Sequence, residues 1–119
     1  MIRNSRWLSG PVALLALLAH PALAQQATLG VAAPLSGPYE TLGRQFVEGV
    51  RAGAPGLSIT ERDTPCTPEG GRDTALAFIA ADITLAVGFL CTPSAEAALP
   101  ALADAGVPTM VVGARSTRL

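Results

Sequence analysis

Four short runs of strand-type residues alternate along this chain with three segments of helical period, and the links between them are only a few residues long. Leu29 to Leu35 is apolar nearly throughout, with Pro34 placed where a ladder donor is no longer needed. Leu57 to Asp63 alternates apolar and polar residues, Thr84 to Leu90 is almost wholly apolar, and Pro108 to Val112 is a short fourth run. Between them, Leu42, Phe46, Val50 and Gly53 share one helical face. Ala75, Leu76, Ile79, Ala80 and Ile83 form a second stripe, and Ala95, Ala98, Leu99 and Leu102 a third. A chain that alternates in this way is expected to fold as α/β, in the order βαβαβαβ. The expected architecture is a parallel sheet with right-handed crossovers and helices on both faces.

Local punctuation supports that division. Ser36-Gly37-Pro38 is a turn cluster, and Gly53-Ala54-Pro55-Gly56 stops the first helix. Thr67 is a capping residue, Pro68 sits at the first helical position, and Glu69 suits the positive end of the helix dipole. Gly70-Gly71 weakens that first turn, and its spacing matches neither phosphate-cradling glycine motif. The third helix is expected from about Ser94 to Ala105, with Pro100 kinking or restarting it, and Gly113 to Leu119 reads as a turn.

The chain has 119 residues, a single small domain, with 14% charged residues and a formal net charge of −1. Lys is absent, no basic stripe is interleaved with aromatics, and no nucleic-acid partner is expected. Residues 1–24 read as a secretory signal peptide. Arg3 and Arg6 precede an apolar stretch from Leu8 to Ala19, and Ala22-Leu23-Ala24 forms an A-x-A cleavage site. That stretch falls short of the ~20 apolar residues a spanning helix needs, so no stable membrane insertion is expected after cleavage. His20 leaves with the signal, which removes His-based triads and most zinc chemistry from residues 25–119.

Export frames the two cysteines. In an oxidising compartment Cys66 and Cys91, each at a strand end, are most simply a disulfide; the alternative is a reactive thiol, disfavoured by the missing C-x-x-C spacing and His. Closing that loop stabilises the fold by about 3 kcal/mol in the chain-entropy description. Glu61 and Asp63, two apart and flanking Arg62, form no acid pair for glycoside chemistry and read as surface and structural. No Gly-x-Ser-x-Gly elbow or metal cluster is present. The chain therefore reads as a binding module, not an enzyme, with no cofactor or metal.

Several stretches carry a family resemblance: Gly30-Val31-Ala32-Ala33-Pro34-Leu35-Ser36-Gly37-Pro38-Tyr39, Leu42-Gly43, Gly49, Asp63-Thr64-Pro65-Cys66-Thr67-Pro68-Glu69, Val87-Gly88-Phe89-Leu90-Cys91-Thr92 and Ala105-Gly106-Val107-Pro108. Together they resemble the N-terminal lobe of periplasmic substrate-binding proteins of the Leu/Ile/Val-binding type, which serve ABC importers. The resemblance implies that residues 25–119 are a partial N-terminal lobe, the Rossmann-like half of a type I periplasmic-binding-protein fold, incomplete because the family has a second lobe and a hinge. It also implies the Cys66–Cys91 bridge. By the same resemblance, Thr92 and the Arg115 backbone hold a ligand carboxylate. The Gly113 carbonyl accepts from an ammonium group, Ala114 lies in the same loop, and Ser36 and Leu42 line the cleft wall. Two readings stay open at single residues: Thr92 as a helix cap, and Arg115 as a solvated side chain, since the family carries a small hydroxyl residue there.

The function so implied is the substrate-binding component, truncated or partial, of an ABC importer for branched-chain or related amino acids. Its partners would be a small-molecule ligand and, in a full-length form, an ABC permease, and its location periplasmic. The alternatives are a periplasmic ligand-sensing or partner-binding domain of the same fold, or a non-functional remnant. The leader gives a first test: N-terminal sequencing of the exported protein is expected to begin at Gln25, and an intact apolar N-terminus on the exported chain would refute the assignment.

Overall fold

The computed structural model describes residues 26–119; the expected signal peptide lies outside the described residues. Four strands and three helices follow in the expected order. They are β1 (Thr28–Ala33), α1 (Glu40–Gly53), β2 (Ser58–Asp63), α2 (Pro68–Ala80), β3 (Leu85–Gly88), α3 (Thr92–Asp104) and β4 (Thr109–Val111), with a 3₁₀ turn at Gly37–Tyr39 leading into α1. All strand pairs are parallel, and the order across the sheet is β2-β1-β3-β4. Among the described residues no helix is long and apolar enough to cross a membrane.

The strand order dictates the layers. The connection from β1 to β2 runs one way along the sheet; those from β2 to β3 and on to β4 run the other way. Crossovers of one hand travelling in opposite directions place their helices on opposite faces. Accordingly Leu29, Val31 and Ala33 of β1 pack with Val47, Phe46 and Val50 of α1. The other face gathers Ala32 and Ala86 with Ala75 and Phe78 of α2 and Ala95, Ala98 and Leu102 of α3. β1 is thus a central strand closed on both sides. Gly30 leaves room for α2: a Cβ there would lie 2.9 Å from the Phe78 ring and from Ile83.

The first turn of α2 follows its sequence signals. The Thr67 side chain accepts from the Gly70 N–H at 3.0 Å, with Pro68 at the first helical position. Gly70-Gly71 has a packing role that spacing alone does not reveal. A Cβ on Gly71 would lie 2.1 Å from the Ser94 carbonyl oxygen, so the glycine lets the first turns of α2 and α3 meet backbone to backbone. The Cys66–Cys91 disulfide forms beside this contact, with a Cα–Cα distance of 5.2 Å.

Four expectations need correction. Leu76 and Ala80 face solvent, Leu76 being 60% exposed, because the buried face of α2 runs through Thr74, Ala75 and Phe78. Ile83 is buried but lies past the helix end. On α1 the buried positions are Gly43 and Val47; Phe46 and Val50 flank them, while Leu42 and Gly53 are exposed. The third strand is shorter than its apolar run, ending at Gly88, and α3 starts at Thr92 and continues through Pro100.

The packing yields a paired prediction. Gly71→Ala is expected to destabilise the oxidised chain by about 1–3 kcal/mol through overpacking. Gly49→Ala is expected to stabilise it by up to about 1 kcal/mol through helix propensity, because nothing lies within 4 Å of a Cβ at Gly49 in α1. Urea denaturation measures both, and equal stability of the two variants would contradict the α2–α3 contact.

Candidate functional site

In an open parallel sheet, ligands sit beyond the carboxyl ends of the strands, where the strand order reverses. Here that point lies between β1 and β3, the strands from which the chain departs in opposite directions. The loop after β1 carries Ser36 and leads to Leu42 on the first turn of α1. The loop after β3 carries Leu90 and Cys91 and leads to Thr92, the first residue of α3. The loop after β4 carries Gly113, Ala114 and Arg115. All six residues singled out in the sequence therefore lie on one rim.

The geometry at β3 is specific. Gly88 has φ 127°, and a Cβ there would lie 2.0 Å from the Ala32 carbonyl oxygen. Phe89 follows at φ 54°, a left-handed conformation uncommon for a bulky side chain. Its ring is fully buried and meets Phe78 edge-on, with centroids 6.5 Å apart. The Phe89 N–H donates to the Ala32 carbonyl at 2.9 Å. This twist puts Phe89 into the core while Cys91 and Thr92 come to the rim, half-buried.

Thr92 and the loop after β4 are joined directly. The Arg115 N–H donates to Thr92 Oγ1 at 2.9 Å, and the Thr92 hydroxyl donates to the Arg115 carbonyl at 3.3 Å. Thr92 is therefore not the cap of its own helix; Cys91 holds that position, and the Ser94 hydroxyl donates to the Cys91 carbonyl at 2.9 Å. The Arg115 side chain is exposed and makes no ion pair among the described residues. The next residues fold back onto α3, where Glu96 accepts from the Ser116 hydroxyl and lies 3.4 Å from Arg118 Nε. An open depression of about 350 Å³ beside this turn is lined by Thr92, Pro93, Glu96, Pro68, Arg72 and Ala97. A larger one, about 540 Å³, lies among Leu99, Ala103 and Gly106 to Thr109, at the amino-terminal end of β4 and away from the rim.

On the other side of the reversal point, Asp63 holds the loop after β1. Its carboxylate accepts from the Leu35 N–H at 2.7 Å and from the Ser36 hydroxyl at 2.5 Å. The Ser36 hydrogen bond is the main reason its carboxyl is held below the ordinary value. Partial desolvation opposes this, and the Leu35 and Ser36 backbone and the Arg44 charge reinforce it. Asp63 read from the sequence as merely surface and structural. The available signal was its place at the end of a strand that neighbours the Ser36 loop, visible only once β1 and β2 are paired. Among the described residues no hydrogen bond joins the Ser36 side of the rim to the Thr92 side, and Leu42 is 52% exposed beside it.

Comparison with known proteins agrees with this architecture. No protein-family model matches the chain. A curated relative, Leu/Ile/Val-binding protein homolog 6 of Brucella abortus, is 28% identical over an alignment covering 91% of this chain and 30% of the relative. A solute-binding protein of an ABC transporter from R. palustris, solved with 4-hydroxybenzoate, is 27% identical with a TM-score of 0.69, covering 76% of this chain and 28% of that one. The leucine-, isoleucine-, valine-, threonine- and alanine-binding protein of Brucella ovis, in its closed conformation, shares the fold with a TM-score of 0.67 at 21% identity, covering 79% and 29%. The chain thus spans about 30% of the length of the curated relatives it matches. Over that span the chain is similar in sequence to these solute-binding proteins, and its four-stranded parallel sheet with flanking helices matches part of a lobe of their fold.

Proposed function

We propose that this chain supplies part of the ligand-binding lobe of an ABC-importer solute-binding protein. On this reading it works outside the cytoplasm and takes a small carboxylate ligand, a branched-chain or related amino acid. The observation that carries this reading is the Thr92–Arg115 pair at the reversal point of the sheet, beside the amino-terminal end of α3. There a hydroxyl, backbone N–H groups and the positive end of a helix converge, which is the donor set a carboxylate needs. The relatives give the same chemistry a context, since one is named for leucine, isoleucine and valine and another was solved with an aromatic carboxylate.

The proposed site consists of Ser36, Leu42, Thr92, Gly113, Ala114 and Arg115, with Cys66–Cys91 bracing the loop that carries Thr92. A carboxylate reaching this rim would compete with Thr92 for the Arg115 N–H, which in the free chain is already paired. Ligand entry therefore exchanges one hydrogen bond for another, and the gain comes from the charge on the new acceptor. The role is binding and presentation to a permease, with no covalent step.

The residues at hand form one wall, whereas a complete small-molecule site encloses most of its ligand. Binding of isoleucine by residues 25–119 is accordingly expected in the millimolar range, about −4 kcal/mol. Saturation-transfer NMR with isoleucine detects such affinities. Thr92→Ala is expected to abolish the transfer while Cys66–Cys91 stays oxidised. Undiminished transfer in Thr92→Ala, or none in the unaltered chain, would defeat the proposal.

A further inference from the structure

We propose that in the uncleaved chain the apolar stretch Val12–Ala19 docks on the open part of the α1 side of the sheet, over Leu85 and Met110, so that removal of the leader uncovers this face. None of the residues of the ligand-binding rim takes part.

The face is apolar and only half covered. Ala86 and Val111 point to the α2–α3 side. By strand alternation their neighbours Leu85, Val87 and Met110 point to the α1 side, where Leu29 of β1 also lies. Leu29 is in register with Leu85, and Val87 with Met110, so the four form a continuous patch across β1, β3 and β4. α1 covers the β1 end of it through Phe46, Val47 and Val50. The rest stays open: Leu85 is 39%, Leu57 41% and Met110 65% exposed, around a hollow of about 340 Å³ whose lining holds no charged residue. An apolar patch of this kind, joined to a closed core, marks a surface that another segment covers.

The topology limits what that segment can be. The crossovers from β2 to β3 and from β3 to β4 lay α2 and α3 on the opposite face, and a further crossover of the same hand and direction would lay its helix there too. Chain that precedes β1 is not bound in this way. The hollow sits at the amino-terminal end of the sheet, with Leu29, Leu57 and Leu85 at or beside the starts of β1, β2 and β3. That is the end at which the leader joins β1. Residues 1–25 lie outside the described residues, but their sequence runs apolar and uncharged from Val12 to Ala19. The link from His20 to Ala27 can span about 25 Å when extended. β4 lies two strand spacings from β1, about 10 Å. The stretch therefore reaches the whole hollow. A second copy of the chain fits less well, because three part-exposed side chains fall far short of the roughly 800 Å² per partner that a stable interface buries. A segment tethered beside the hollow is present at an effective concentration in the millimolar range, so a small apolar contact is enough.

The test uses the oxidised full chain, residues 1–119, with photo-methionine in place of methionine. Met1 and Met110 are the two methionines, so irradiation generates a reactive carbene within the hollow at Met110. The expected product joins Met110 to residues 12–19, located by tandem mass spectrometry. When isotope-labelled and unlabelled chains are mixed, each link is expected to stay within one chain. Links between labelled and unlabelled chains would overturn the proposal in favour of a second copy, and links confined to residues 26–119 would overturn it outright. Thermal unfolding gives an independent readout. Met110→Glu in the full chain is expected to lower Tm by about 4–8 °C. In a full chain whose Leu14, Leu15, Leu17 and Leu18 are all replaced by Ser, the same substitution is expected to change Tm little, as at any exposed position. Equal shifts in the two backgrounds, or aggregation of the unaltered chain that the four serines abolish, would show the stretch undocked and overturn the proposal.

Discussion

The ring of Phe78 lies where a side chain at residue 30 would otherwise sit, and the rest of the fold depends on that contact. Because β1 yields its Gly30 position to α2, the strand is closed from that side by an aromatic and from the other by Val47 of α1. A strand enclosed on both faces belongs in the middle of a sheet. With β1 central, β2 and β3 must take its two edges, and the reversal of direction between them follows. The candidate site thus owes its location to a glycine and a phenylalanine that no ligand would touch.

Three ties then hold the rim, each of a different chemistry. The Asp63 carboxylate joins the loop after β1 to the end of β2. The Cys66–Cys91 bridge joins the loop after β2 to the start of α3. The Thr92 hydroxyl joins that start to the loop after β4. Recognition groups are useful only when their own positions are fixed by a supporting set of contacts. Here each loop that carries a candidate ligand group is fixed by its neighbour in the sheet. The bridge contributes most to stability, about 3 kcal/mol for a loop of this length in the chain-entropy description; the two hydrogen-bonded ties contribute less.

The strands, the helix count and the cap at Thr67 were legible in the sequence because they rest on local signals: apolar runs, turn residues and a proline at the start of a helix. The phase of the helices was not. On α1 the apolar residues Leu42, Phe46 and Val50 marked a face, yet the helix meets the end of β1 through Gly43, where a Cβ would lie 1.8 Å from the carbonyl oxygen of Pro34, the residue after the strand. On α2 the apolar count favoured Leu76, while Gly71 and Phe78 decided the orientation. In both cases a small residue set the distance between elements, and hydrophobic periodicity gives a glycine little weight. The six rim residues came from family resemblance. Asp63 escaped notice because its partners, Leu35 and Ser36, are 28 and 27 residues away in sequence.

The two faces of the sheet are not equally closed. α2 and α3 bury their side completely at Ala86, Ala98 and Leu102. On the α1 side, Leu85 is 39% and Met110 65% exposed, beside an apolar hollow of about 340 Å³ that Val50, Ala54 and Leu57 share. β4 has three residues and, among the described residues, pairs with β3 alone. Val111 packs against the core on the α2–α3 side, and the strand leads into the loop after β4. That loop is held by the Thr92 hydroxyl and by Glu96, both on α3. The hydroxyl proposed to meet a ligand is thus also an anchor for the loop after β4, and a carboxylate that claimed the Arg115 N–H would compete with that anchor.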